Sequence, residues 1–437
     1  MVYQIFKIWA QLAFSLYFRR IFISGSENIP KKGAVLILVN HPNSFLEPCV
    51  IAAFQHRNLH FLVRGDMFEK KWLKPILTST NQIPIYRFKD GFEKLRSNKS
   101  TFDQAYKVLA EKHTLLMFPE ASSELVKYLR PLQKGASRLA LGAFEENNVD
   151  ELIVIPTGIH YYNAPKSRND VVLKFGEALS MKKWILDNTQ TEDKLNALTA
   201  YFQNAMDKVI ISINPERQES IYDDAYLLAE NDQLKYSSSG VLKTEEGYAM
   251  MNKLITSLNQ LSENAFKELG KMIIKYKGTY DDLKSFDSCV KLGVIEKIKI
   301  LIYLLLSFII GLPGFILYSP SFIFSKYFTK AKIKHITFYA PVRIAFNMGT
   351  HIFNSIILYF ILIPFLSLGQ FILLFMFLQI SLYSFGIFMD FSRYAKYLFN
   401  LSILKKRKSL LVPRSEIINI LTADGRRPTA DSPKNTI

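Results

Sequence analysis

The chain has 437 residues, with 55 Lys+Arg against 38 Asp+Glu for a formal charge of +17, and it is 49% hydrophobic and 14% aromatic. A basic chain this rich in aromatic residues points to a negatively charged membrane surface, not to nucleic acid, for which it carries no binding motif. Two cysteines, Cys49 and Cys289, exclude a disulfide scaffold and a cysteine-rich zinc site.

Residues 1–30 open on MVYQIFKIWAQLAFSLYFRR, which is apolar but lacks the small-residue cleavage site of a signal peptide. Gln4, Lys7, Gln11 and Ser15 recur at spacings of three and four and so share one helical stripe. This predicts an interfacial amphipathic helix whose Arg19 and Arg20 meet anionic headgroups, or a helix docked on its own domain, and the two readings are compatible. Residues 31–215 alternate β-rich apolar runs (34–40, 59–64, 82–87, 114–118, 152–162 and 171–176) with helical stretches (101–112 and 133–148). That rhythm predicts an α/β domain, a mixed sheet flanked by helices. No glycine-rich phosphate loop follows any predicted strand, so neither nucleotide hydrolysis nor nicotinamide chemistry is supported.

Residues 216–296 are polar with helical periodicity and predict a helical connector. Residues 297–400 are apolar enough to enter lipid, at 298–324, 351–368 and 371–389. Gly311, Pro313, Gly314 and Pro320 interrupt the first of these. Lys297 and Lys299 precede it and Lys326, Lys330, Lys332 and Lys334 follow it, so a full crossing would set basic flanks on opposite faces. The expectation is therefore a re-entrant or broken first segment, then transmembrane helices paired as a hairpin over 351–389. This arrangement keeps the basic clusters and the domain before them on the cytosolic face of an integral membrane protein. Residues 401–437, with KKRK at 405–408, predict a basic, partly disordered tail.

Four blocks can carry chemistry. In VNHPNSFLEP (39–48), a strand delivers His41 into a turn, and Glu47 follows six positions later. A carboxylate within reach of an imidazole sets its tautomer and steadies the imidazolium that a general base becomes. MFPEASS (117–123) and RPLQKGASRLALG (130–142) supply a turn with Glu120, Ser122 and Ser123, followed by Arg130, Lys134 and Arg138. Backbone N–H groups and cations suit a phosphate, and an N-cap with a solvated basic helix face is the structural counterpart. IPIYRFKDG (83–91) places Arg87 just past a strand, and IPTGIHYY (155–162) interrupts a strand with Pro156 and Gly158.

In this order the four blocks resemble the glycerolipid acyltransferases, over roughly residues 30–215. The commonest family version has four residues between His and Asp, whereas five separate His41 from Glu47. That spacing is more similar to the branch acting on glycerol-3-phosphate or dihydroxyacetone phosphate, which also carries a helical connector and carboxyl-terminal membrane segments. Two departures stand out: Glu47 replaces the family's Asp, and Ala121 replaces the glycine after FPE, at a position where positive φ would favour glycine.

The resemblance implies transfer of a fatty acyl group from an acyl thioester to a hydroxyl of glycerol-3-phosphate or dihydroxyacetone phosphate, in phospholipid biosynthesis. It implies His41 and Glu47 as catalytic residues and Asn43, Arg87, Glu120, Ser122, Ser123 and Lys134 as substrate-binding residues. It requires neither cofactor nor metal, since acyl-CoA or acyl-ACP is a co-substrate. The implied partners are membrane lipids, the acyl thioester with its acyl carrier protein where that is the donor, and a phosphorylated glycerol-type acceptor. Two other readings are a 1-acylglycerol-3-phosphate acyltransferase and a non-catalytic membrane scaffold that keeps the fold.

Overall fold

The computed structural model describes residues 2–86, 98–145, 149–233 and 240–422, and the chain falls into two units. The first takes in Met1–Ser212, Gly240–Tyr248 and Tyr318–Leu366, and the second Ile213–Ser239, Ala249–Leu317 and the described part of Ser367–Ile437.

The first unit runs α1 (Val2–Tyr17), β1 (Arg20–Ser24), β2 (Ala34–Val39), α2 (Leu46–Phe54), β3 (Leu59–Arg64), α3 (Lys74–Ser79), β4 (Gln82–Ile85), α4 (Asn98–Ala110), β5 (Thr114–Met117) and α5 (Gly135–Glu145). It continues through β6 (Leu152–Tyr161), β7 (Asp170–Phe175), β8 (Leu179–Ser180), α6 (Met181–Asp187), α7 (Lys194–Asp207) and β9 (Gly240–Leu242). The strands form one sheet in the order β4-β3-β5-β2-β6-β7-β1-β9, with β8 on β6. Every pairing is parallel except β6 with β7 and β6 with β8.

Central strand β2, AVLILV, is buried along its whole length, as a strand covered on both faces must be. Its alternate side chains enter different layers. Val35, Ile37 and Val39 pack with Phe14 and Phe18 and with Leu46 and Val50 of α2. Leu36 and Leu38 pack with Leu109 of α4, Leu139 and Ala140 of α5 and Phe202 of α7. The mixed α/β layer predicted from the alternating runs is thus present, with its centre at β2. Strands β1 and β9, at the sheet's other edge, have no counterpart among the predicted strands.

Helix α1 corrects one expectation. Its polar stripe turns inward: Lys7 Nζ donates to the Gln55 carbonyl (2.5 Å), Gln11 Nε2 to the Ala53 carbonyl (2.6 Å) and Gln4 Nε2 to Asn58 Oδ1 (2.9 Å). The first two of these bonds occupy carbonyls at the end of α2, which have no partner within that helix. Gln4, Ile5, Phe6 and Ile8 are exposed, so three large apolar side chains of α1 face outward. Arg19 and Arg20 do not reach outward either. Both are buried and bind Asp170, which fixes the register of β1 against β7, where Arg20 faces Asp170. Burial raises the pKa of Asp170, but the two guanidiniums outweigh it and hold the carboxyl well below the usual range.

The remaining helices are α8 (Glu219–Gln233), α9 (Glu246–Gln260), α10 (Glu263–Lys277), α11 (Leu283–Lys291), α12 (Val294–Lys332), α13 (Tyr339–Leu362), α14 (Leu368–Ala395) and α15 (Leu401–Thr422). Those containing 294–332, 336–362 and 368–393 are long and apolar enough to cross a membrane. The expected break in the first is absent. Helix α12 runs 39 residues through Gly311, Pro313, Gly314 and Pro320.

The reason lies in α14. Ser381 Oγ accepts from Gly314 N (2.8 Å) and donates to the Ile310 carbonyl (2.7 Å), bridging the place where the intrahelical bond would run. Proline is tolerated in apolar helices when a neighbouring hydroxyl re-satisfies the freed backbone groups in this way. The glycines permit the approach, because a Cβ on Gly311 would lie 2.6 Å from Phe385 N and one on Gly314 2.5 Å from Leu382 N. With α12 continuous, Lys297 lies in its first turn and Lys330 in its last. The carboxyl-terminal expectation also changes, since residues 401–422 are helical and Pro413 lies inside α15.

Candidate active site

The site forms where β2 ends. Asn40 extends the sheet by one residue through its side chain: its Nδ2 donates to the Ile159 carbonyl (2.9 Å) and its Oδ1 accepts from Ile159 N (2.8 Å). The chain then turns through Ser44, whose φ is 50°. A second turn, after β5, is tied to the first. Glu120 Oε2 accepts from His41 N (2.9 Å), Glu124 N donates to the His41 carbonyl (3.2 Å), and Ser123 Oγ accepts from Ser44 N (2.7 Å) and pairs with Ser44 Oγ (3.0 Å). Both turns leave parallel strands at their carboxyl ends, where α/β folds place ligands.

This clamp aims the His41 ring. His41 Nδ1 lies 3.1 Å from Glu47 Oε2, and the imidazole stacks on Phe118 at 4.0 Å between centroids and 17° between planes. Glu47, in the first turn of α2, is 0% exposed, whereas the His41 side chain retains 18% exposure. Burial pushes the pKa of Glu47 up, against the hydrogen bond and charge of His41, which pull it down. The extra methylene of Glu and the extra residue in the turn therefore offset each other, and the pair closes. With Nδ1 engaged, Nε2 is the ring nitrogen left to exchange a proton with a bound hydroxyl.

The other candidates divide by what already holds them. Glu120 is buried, and its two oxygens accept from His41 N, Arg130 N (3.0 Å) and Arg130 Nη2 (2.8 Å). Ser123 binds the His41 turn, and Ser122 Oγ accepts from Arg130 Nη1 (2.6 Å). These three side chains assemble the two turns. Asn43 lies beneath them, fully buried, and neither amide atom has a hydrogen-bond partner among the described residues. Lys134 is exposed just ahead of α5. Arg87 lies outside the described residues.

Arg130 and Phe118 are the site residues that motif order alone does not assign. Arg130 also binds Glu124 (3.0 Å), so one guanidinium braces the whole second turn. Its only sequence signal is a cation ten positions after Glu120, next to Pro131. Ala121 has φ of 60°, the left-handed conformation that favours glycine and strains alanine. The fourth block serves packing: Pro156 and Gly158 lie inside β6, and a Cβ on Gly158 would meet the Val209 carbonyl oxygen at 2.3 Å.

Comparison with known proteins bears on the same stretch of chain. The family model described as Acyltransferase matches residues 20–160. Two Saccharomyces cerevisiae proteins are similar. Glycerol-3-phosphate O-acyltransferase 2 is 24% identical over 253 residues, 54% of this chain and 33% of that protein. Glycerol-3-phosphate O-acyltransferase 1 is 22% identical over 259 residues, 56% of this chain and 33% of that protein. The chain thus spans about a third of the length of the curated relatives it matches. Among solved structures, the 1-acyl-sn-glycerophosphate (LPA) acyltransferase of Thermotoga maritima is similar at 18% identity and a TM-score of 0.37, covering 47% of this chain and 77% of that one. The ordered motifs, the sheet that presents them and the residues 20–160 matched by the Acyltransferase model all fall on the same stretch of chain.

Proposed function

We propose that the protein is a membrane-bound O-acyltransferase that moves a fatty acyl group from acyl-CoA or acyl-ACP to a hydroxyl of glycerol-3-phosphate or dihydroxyacetone phosphate. The observation that carries this reading is the closed His41–Glu47 pair, buried on the carboxylate side and open on the imidazole side. His41 Nε2 takes the proton of the acceptor hydroxyl as that oxygen attacks the thioester carbonyl, and Glu47 steadies the imidazolium. The tetrahedral oxyanion collapses, the C–S bond breaks, and the proton held on His41 passes to the leaving thiolate. No covalent enzyme intermediate is required.

Lys134 and Arg87 are assigned to the acceptor phosphate. Glu120, Ser122 and Ser123 act on the acceptor indirectly, by holding the turn that carries His41. The similarity to the two yeast glycerol-3-phosphate acyltransferases and the five-residue His–Glu spacing favour the glycerol-3-phosphate class of acceptor over a monoacyl one.

The test offers glycerol-3-phosphate, dihydroxyacetone phosphate and lysophosphatidate together to the purified protein with one labelled acyl thioester. Label in the first two products supports the proposal. Label in phosphatidate alone reassigns the acceptor, and no transfer to any of the three leaves a scaffold.

We also place the site on the cytosolic face, where a water-soluble thioester and a phosphorylated acceptor both reach it. A cysteine at Lys32, in an exposed loop, should be shielded from an impermeant thiol reagent in intact cells and react after lysis.

A further inference from the structure

Helix α15 has two unlike faces. Ile403, Arg414, Ile417, Ile418 and Leu421 are buried, and the helix packs on α8, α10 and α11. Arg407 adds a tie to the end of α11, donating from Nε to the Val290 carbonyl (2.8 Å) and from Nη2 to the Lys291 carbonyl (3.2 Å). The inner face is therefore fully engaged.

The outer face is not that of a solvated helix. Leu401, Lys405, Lys408 and Val412 succeed one another at intervals of four, three and four residues, which stacks them in one stripe. All four are exposed, Leu401 at 73% and Val412 at 59%. Lys406 is exposed beside them, and Phe399, just ahead of the helix, is 53% exposed. None of the three lysines has an ion-pair partner among the described residues. The exposed acid of this helix, Glu416, comes only in its later turns.

A stripe that is apolar and cationic at once suits few surroundings. Bulk water gains nothing from Leu401 and Val412, and a protein core would strip the lysines of solvent. A bilayer interface takes both: apolar groups enter the boundary between headgroups and acyl chains, while lysine stems lie along it and their ammonium groups reach acidic headgroups. Helix α14, which is long and apolar enough to cross a bilayer, ends only five residues (396–400) before α15 begins. We propose that the outer face of α15 lies on an anionic lipid surface, with Lys405, Lys406 and Lys408 binding acidic headgroups and Leu401 and Val412 entering the interface.

The test uses the full chain carrying Val412→Trp, in nanodiscs of phosphatidylcholine with or without phosphatidylserine, with lipids brominated near the headgroup end of their chains. By difference from the parent protein, the added tryptophan should be blue-shifted and quenched in the acidic discs. Lys405→Gln, Lys406→Gln and Lys408→Gln together should reduce that interfacial population, by about fivefold per lysine, and added salt should do the same. The triple Lys→Arg variant keeps the charge and should restore the signal, which separates headgroup binding from a folding defect. Water-like emission in both discs would overturn the proposal. So would equal quenching in neutral and acidic discs, or a shift in detergent that follows protein concentration and marks a second copy as the occupant.

Discussion

Two buried carboxylates, one in each unit, show what different surroundings make of the same group. Asp287 in α11 is fully buried and saturated: it accepts from Arg414 Nε (2.8 Å) and Nη2 (3.3 Å), Tyr276 Oη (2.7 Å) and Asn231 Nδ2 (3.1 Å). Those partners sit on α15, α10 and α8, so a single anion ties four helices together. Glu47 is equally buried but, among the described residues, accepts from one side chain, His41, and burial raises its pKa. A carboxylate with a permanent counter-charge and every lone pair engaged holds structure, whereas one left hungry beside an imidazole can change its proton-sharing during a reaction.

Substitution should break the two carboxylate networks in opposite ways. The largest effect belongs to the site: His41→Ala should lower kcat by about 10²–10⁴-fold while the melting temperature of the protein in detergent stays near that of the parent. Turnover close to normal would remove His41 from the chemistry. Asp287→Ala should do the reverse, costing about 3–5 kcal/mol in denaturant unfolding because it strands the Arg414 guanidinium without its buried partner. A change below 1 kcal/mol would place the network at the level of an exposed ion pair.

Glu47→Gln sharpens the contrast through pH. The folded Glu47 holds its proton to higher pH than the unfolded chain does, so its contribution to stability is fully present below the ordinary carboxylate range and is lost as pH rises through its raised pKa. Gln cannot ionise. The variant should therefore gain stability relative to the parent as pH rises from acid to mildly alkaline, while its kcat falls by about 10- to 100-fold. Stability lost in parallel with activity at alkaline pH would show that Glu47 is structural. The smallest effect concerns the second turn, where Ala121→Gly should stabilise by about 1 kcal/mol by relieving the left-handed strain, with little change in kcat. A destabilised glycine variant would mean that the alanine methyl packs against something that matters more than its φ.

Much of the fold and part of the site were legible without coordinates. The β-rich runs at 34–40 and 114–118 announce strands because fully covered parallel strands are continuously apolar, and β2 and β5 occupy those places. His41 and Glu47 stood out because a short turn brings residues six apart within reach. Roles that depend on competition for partners stayed hidden. Glu120, Ser122 and Ser123 resemble substrate ligands in a motif, yet in the folded chain Arg130, His41 N and Ser44 N already use them.

The sequence by itself determined most of the periodic content: the central strands and the helices between them, which helices are apolar enough for lipid, and the order of the four motif blocks. These follow from local spacing, which the chain carries wherever it goes. Only the tertiary structure decided which way polar groups turn and what completes a damaged element. Lys7 and Gln11 face the end of α2 because helix-end carbonyls need donors, Arg19 and Arg20 converge on Asp170 because a buried carboxylate needs counter-charge, and Ser381 satisfies the Gly314 N–H and Ile310 carbonyl beside Pro313 of α12. In each case the partner comes from a distant part of the chain, and desolvation of an unpaired polar group is the cost that selects it.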